Sequence, residues 1–116
     1  MTTIYFPKSK LNITYTIGKN AADNFAILDL AEPHHIWFHV EGQSSCHVIA
    51  SIPPSINSDR KTLSAIVKQG AVLCKQYSRY SGHKNLSISY TTVGNVQKHD
   101  RIVGTVLASN CKTVII

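Results

Sequence analysis

Acidic residues are scarce in this sequence: six Asp and Glu stand against twelve Lys and Arg in 116 residues. The six are not clustered, which leaves little material for a site that works through paired carboxylates. Long apolar runs are also missing. None approaches the length of about 20 residues that spans a bilayer, and the first residues lack the pattern of a signal peptide, so no membrane partner is expected. The three cysteines, Cys46, Cys74 and Cys111, are odd in number, far apart and in no CxxC arrangement. That argues against a disulfide framework and for a reducing compartment, cytoplasmic with the nucleus as the alternative. Neither G-x-x-x-x-G-K-[ST] nor G-x-G-x-x-G occurs, so nothing supports nucleotide binding through those loops, and no cofactor is expected.

Positive charge is plentiful. The net charge is +6 and the pI about 9.4, values that favour polyanionic partners. The excess is lopsided: residues 1–58 carry three lysines against four acids, and residues 59–116 carry nine Lys or Arg against Asp59 and Asp100. With 43% hydrophobic residues, the chain is expected to form one domain over 1–116 and to bury roughly two-thirds of its unfolded surface.

Alternation marks the strands. "TTIYF" and "LNITYTI" read as a pair of short strands, the second alternating Ile13, Tyr15 and Ile17 with Asn12, Thr14 and Thr16. In "HIWFHV", Ile36, Phe38 and Val40 face one way and His35, Trp37 and His39 the other. "GQSS" then turns into "CHVIASI" as an antiparallel partner, and "PPSINS" (53–58) reads as a loop. "LSISYT" alternates again, and "GTVLAS" with "KTVII" reads as a hairpin closed near Asn110. A short helix is expected near 19–29 and a long amphipathic one at about 59–80. On its wheel Leu63, Ile66, Val67, Gly70, Leu73, Cys74 and Tyr77 share a face, opposite a stripe of Lys61, Lys68, Lys75 and Arg79. Gly70 is expected to allow close approach to the sheet. The fold class is therefore α+β, a mostly antiparallel sheet with the long helix packed on it.

Four of the six histidines fall between residues 34 and 51, around the only tryptophan. A zinc site fits poorly: His35 and His39 on a straight strand lie about 13 Å apart, and alternation turns Cys46 away from His47, leaving two ligands at best. Nucleophilic catalysis fits poorly too, because adjacent strand residues point apart and no acid is spaced to orient His39 or His47. Two readings remain open. In one, these histidines are half-buried, hydrogen-bonded structural groups. In the other, Trp37, His39 and His47 form a surface on which bases or riboses stack beside cationic residues.

The elements "GKNAADNFAIL", "IWFHVEGQSSCHV" and "ISYTTVGNVQK…GTV" together resemble the NFACT-R family over roughly residues 12–116. That family is the RNA-binding module of ribosome quality-control factors, and it also occurs in a eukaryotic coiled-coil-domain protein. Gly18, Lys19, Asn20 and Asn24 match its first motif, Trp37, His39 and His47 the next two, and Tyr90, Thr91, Asn95 and Lys98 the last. Two positions depart from the pattern. His35 stands where the family has Asp, which should leave the cluster more cationic below about pH 6.5, and Cys46 replaces a small residue. The family's other domains are missing from these 116 residues, so a stand-alone module or a fragment is expected.

The resemblance implies a non-catalytic module for RNA, tRNA or rRNA, with DNA as the alternative ligand. Docking on a ribosome or other ribonucleoprotein is the second reading, and a His-dependent hydrolase or nuclease the third. The expected contact residues are Lys19, Asn20, Trp37, His39, His47, Arg60, Lys61, Lys68, Lys75, Arg79, Lys84 and Lys98. No metal ligand and no particular oligomeric state are indicated.

Overall fold

The computed structural model describes residues 1–55 and 59–116. The last three residues of the loop expected at 53–58 lie outside the described residues. The fold is α+β, as the alternation implied. Strands β1 (Thr2–Phe6), β2 (Leu11–Ile17), β3 (Ile36–Val40), β4 (Val48–Ser51), β5 (Ser87–Thr92) and β8 (Lys112–Ile115) form one sheet in the order β1-β2-β4-β3-β5-β8. Every neighbouring pair in it is antiparallel. Strands β6 (Val96–Lys98) and β7 (Val106–Ala108) pair separately as a second, two-stranded sheet.

Two helices cover opposite faces. Helix α2 (Arg60–Gln76) begins where Asp59 Oδ1 accepts from the Thr62 amide at 3.2 Å, a side-chain cap that satisfies an otherwise unpaired amide. Its Ile66, Val67, Leu73 and Cys74 enter a core with Ile13, Tyr15, Ile36, Phe38, Val40 and Ile88. Tyr15, fully buried on β2, donates its hydroxyl to the Ile66 carbonyl at 2.8 Å and so fixes helix to sheet. Because side chains alternate along a strand, Trp37 and Ile49 point the other way. There they pack on Ile27 and Leu28 of helix α1 (Ala21–Leu30), with Val96 and Val106 of the small sheet alongside.

Gly70 is where α2 meets the sheet. A Cβ there would stand 2.3 Å from Phe38 Cζ, closer than any real contact. Gly70→Ala is therefore expected to destabilise despite the better helix propensity of Ala, by about 1–3 kcal/mol as overpacked cores do. Trimming the ring in the Phe38→Leu background should shrink that penalty. Urea titrations of the four proteins check it, and additive losses would contradict the packing described.

Three expectations need correction. The long helix stops at Gln76 rather than near 80, because Tyr77 leaves helical geometry and Ser78 Oγ donates to the Lys75 carbonyl at 2.8 Å. Tyr77, placed in the core by its wheel position, is consequently 54% exposed. The hairpin expected across Asn110 does not form. Instead β7 pairs with β6 and β8 with β5, and Thr91 Oγ1 donates to the Ser109 carbonyl at 3.0 Å where the chain crosses from one sheet to the other.

Candidate functional site

The first motif is a structural device. Gly18 has no room for a side chain, since a Cβ there would lie 2.0 Å from Asn24 Oδ1. Asn20 caps α1, its Oδ1 accepting from the Asp23 amide at 2.8 Å, while Asp23 Oδ2 accepts from the Lys19 amide at 2.9 Å. The Asn20 side chain is thus committed to the helix, and Lys19, exposed, is carried at the start of α1.

The second and third motifs meet the first at His47. The His47 amide donates to Asn24 Oδ1 at 3.3 Å, and its carbonyl accepts from the Gly18 amide at 2.8 Å. Trp37 Nε1 donates to His47 Nδ1 at 3.1 Å. His39 lies parallel to the Trp37 ring, with centroids 5.5 Å apart, and meets His47 edge to face at 5.0 Å. Trp37 is 4% exposed and His47 2%. The expected open stacking platform is therefore corrected: His39 stacks on Trp37, and α1 packs against the same tryptophan.

Around this cluster lies a cleft of about 760 Å³. It is bounded by the approach to α1, by His39, by the β3–β4 link at 43–47, by Tyr77–Arg79 beyond α2, and by the loop at 103–105 with the first residue of β7. Of the residues expected at the site, Lys19, Asn20, Trp37, His39, His47 and Arg79 converge here. No Asp or Glu is among the described residues that line it. Tyr77, Gln43 and Thr105 join them unforeseen. Only the "GTV" element pointed to that last loop, and Gly104, at φ +82°, sits so close to Ala21 that a Cβ would be 2.6 Å from its Cα.

The other expected cations are elsewhere. Arg60, Lys61 and Lys68 are exposed along α2, on the opposite face of the sheet from Trp37, and Lys84 sits in the turn before β5. Lys75 is half-buried and donates to the Ile116 backbone oxygen at 2.8 Å. Lys98 belongs to β6, pairs with Asp29 and lies 5.2 Å from the Phe25 ring centre. The last motif is likewise structural: Asn95 Nδ2 donates to Thr91 Oγ1 at 3.1 Å, bracing the crossing described above. Among the described residues, no group of three or more His, Cys, Asp or Glu converges to hold a metal.

Burial sets the charge of the cluster. It holds the His47 pKa down at about 3, with His39 adding a smaller push. His39 is also lowered, by burial first. His35 lies outside the cleft, its Nδ1 accepting from the Glu32 amide at 3.1 Å, and burial lowers it too. The positive charge expected from His35 is thus moved to lower pH and lies outside the cleft.

The acid behaviour follows. An unfolded His47 takes its proton near pH 6.5, the folded one only near 3. Stability from the neutral ring is complete above 6.5 and is lost as pH falls from 6.5 towards 3, at up to about 1.4 kcal/mol per pH unit. Denaturant titrations at neutral and acid pH should show a smaller acid loss in His47→Gln than in the wild type. Equal losses would contradict the assignment.

The family described as NFACT protein RNA binding domain matches residues 2–109. Two curated relatives bear the name coiled-coil domain-containing protein 25. The Danio rerio protein is 29% identical over 101 residues, covering 81% of this chain and 46% of its own. The Mus musculus protein is 32% identical over 107 residues, covering 81% and 47%. The chain thus spans about half the length of the curated relatives it matches. A solved structure, the C-terminal of the fibronectin/fibrinogen-binding protein from Streptococcus suis, superposes with a TM-score of 0.74 at 19% identity, over 90% of this chain and 40% of that one. At that identity the likeness is one of fold.

Proposed function

The chain belongs to the NFACT protein RNA-binding domain family, and on that premise we propose that it is a non-catalytic RNA-binding module whose contact surface is the cleft around His47. One observation carries this reading. Lys19 and Arg79, far apart in sequence, line the same cleft as the Trp37–His39–His47 cluster, with no carboxylate among its described lining residues. Backbone phosphates are the natural ligands of such cations, and tRNA or rRNA is the proposed substrate class, with DNA as the alternative. A role beside the ribosome, in quality control of translation, is the setting proposed from the family. Three free thiols suit a reducing compartment, cytosol or nucleus.

The chemistry of the histidines supports a binding rather than a catalytic role. A ring with a pKa of about 3 is a weak general base at neutral pH, and its Nδ1 is already taken by Trp37. A second reading, docking on a ribonucleoprotein through protein contacts, is favoured by Ile102, Val103 and Leu107, which are 55%, 60% and 61% exposed on and beside the β6–β7 hairpin.

Fluorescence-anisotropy titrations of labelled tRNA, single-stranded RNA and duplex DNA test the proposal. RNA affinity should fall at least tenfold between about 50 and about 200 mM salt, because binding releases counterions. Absence of RNA binding at the lower salt would overturn the reading and leave protein docking in its place.

A further inference from the structure

The cleft contains a donor that phosphate binding alone leaves unused. With Trp37 Nε1–H on its Nδ1, a neutral His47 carries its single proton on Nε2. Among the described residues nothing accepts from that Nε2–H, and His47 is part of the cleft lining. His47 as a residue is 2% exposed, and among the described residues no fully buried side-chain nitrogen or oxygen lacks a partner, so Nε2 keeps contact with the cleft. The His47 backbone is pinned on both sides, by Gly18 and Asn24, so the donor is held in place before any ligand arrives. Such preorganisation reduces the entropy lost on binding.

Size and charge narrow the ligand. A volume of about 760 Å³ lies within the range of roughly 300–1,000 Å³ typical of small-molecule pockets. That is room for a nucleotide and far too little for a duplex. Lys19 and Arg79 supply positive charge at the same cleft, and no described acidic residue lines it to repel an anion.

Resting on the RNA-binding reading above, we propose that the cleft receives one unpaired nucleotide of the RNA. An acceptor atom of its base or ribose takes the His47 Nε2–H, and its phosphate is neutralised by Lys19 and Arg79. The module then distinguishes flexible or looped RNA, whose nucleotides can leave the stack, from continuous duplex.

The test follows the His47 ring nitrogens by NMR during titration with the four ribonucleoside 5′-monophosphates, with inorganic phosphate alongside, and repeats the single-stranded RNA titration in their presence. The nucleotides should shift the His47 Nε2 signal and displace the RNA. Phosphate at equal concentration should leave that signal in place. Lys19→Ala/Arg79→Ala, two exposed sites that leave the fold alone, should weaken nucleotide binding at least tenfold. RNA binding that neither moves Nε2 nor yields to nucleotides would overturn the pocket and spare the RNA-binding reading. If neither RNA nor nucleotides bind, both go. Nucleotide binding without RNA binding would overturn RNA as the source of the ligand.

Discussion

Replacing Trp37 with Ala is expected to lower the unfolding free energy by about 3–5 kcal/mol, the usual cost of emptying a large aromatic site in a core. Set against a typical total of 5–15 kcal/mol, that leaves the protein close to unfolding. The reason is position. Trp37 is 4% exposed, packs on Ile27, Leu28 and Ile49, stacks with His39 and donates to His47. Trp37→Phe separates packing from hydrogen bonding. It keeps a ring in the site but removes the donor to His47 Nδ1, at a cost of about 1–3 kcal/mol for a polar atom left without its partner. It also frees the imidazole to place its proton on either nitrogen, which ring-nitrogen chemical shifts report directly. A loss below about 1 kcal/mol for Trp37→Ala would mean that the tryptophan is an open platform and not a structural post.

Much of this arrangement was readable from the residues. Period-two alternation marked β2, β3 and β5 within a residue or so of their observed ends, and the wheel of α2 correctly buried Ile66, Val67, Gly70, Leu73 and Cys74. Alternation tells which side chains share a face, however, and not whether another layer covers that face. Alternation therefore leaves both a stacking and a structural role open for Trp37, and it is α1, whose own apolar pattern is diffuse, that covers it. Helix ends were misjudged for a local reason. Tyr77 and Arg79 continue the periodicity of α2, but the backbone leaves the helix at Tyr77 and turns both towards the cleft.

Partners distant in sequence were the other blind spot. Lys75 is held by Ile116, 41 residues on, and Lys98 by Asp29, 69 residues back. A lysine's charge is visible in a sequence, but its commitment to a tertiary contact is not. The same limit explains the missed pairing of β7 and β8, adjacent strands that join different sheets. The motifs themselves gave the most reliable signal. The resemblance to the family grouped Gly18, Asn24, Trp37, His39 and His47, and the fold brings the other four against His47, Gly18 and Asn24 on its backbone and Trp37 and His39 on its ring.

On the proposed function, RNA sits at this cleft and not along the helix. Charge reversal separates the two surfaces, because each offers exposed cations whose replacement leaves the core untouched: Lys19 and Arg79 at the cleft, Lys61 and Lys68 on α2. The measurement is the affinity for single-stranded RNA across a salt series for Lys19→Glu/Arg79→Glu and for Lys61→Glu/Lys68→Glu. The cleft pair should weaken binding at least tenfold near 100 mM salt and flatten the log–log salt slope by about 1.4, two phosphate contacts at roughly 0.7 each. The helix pair should change affinity less than about threefold, through long-range charge alone. Equal losses, or a larger loss from the helix pair, would overturn the cleft as the RNA site and move the RNA to the opposite face of the sheet.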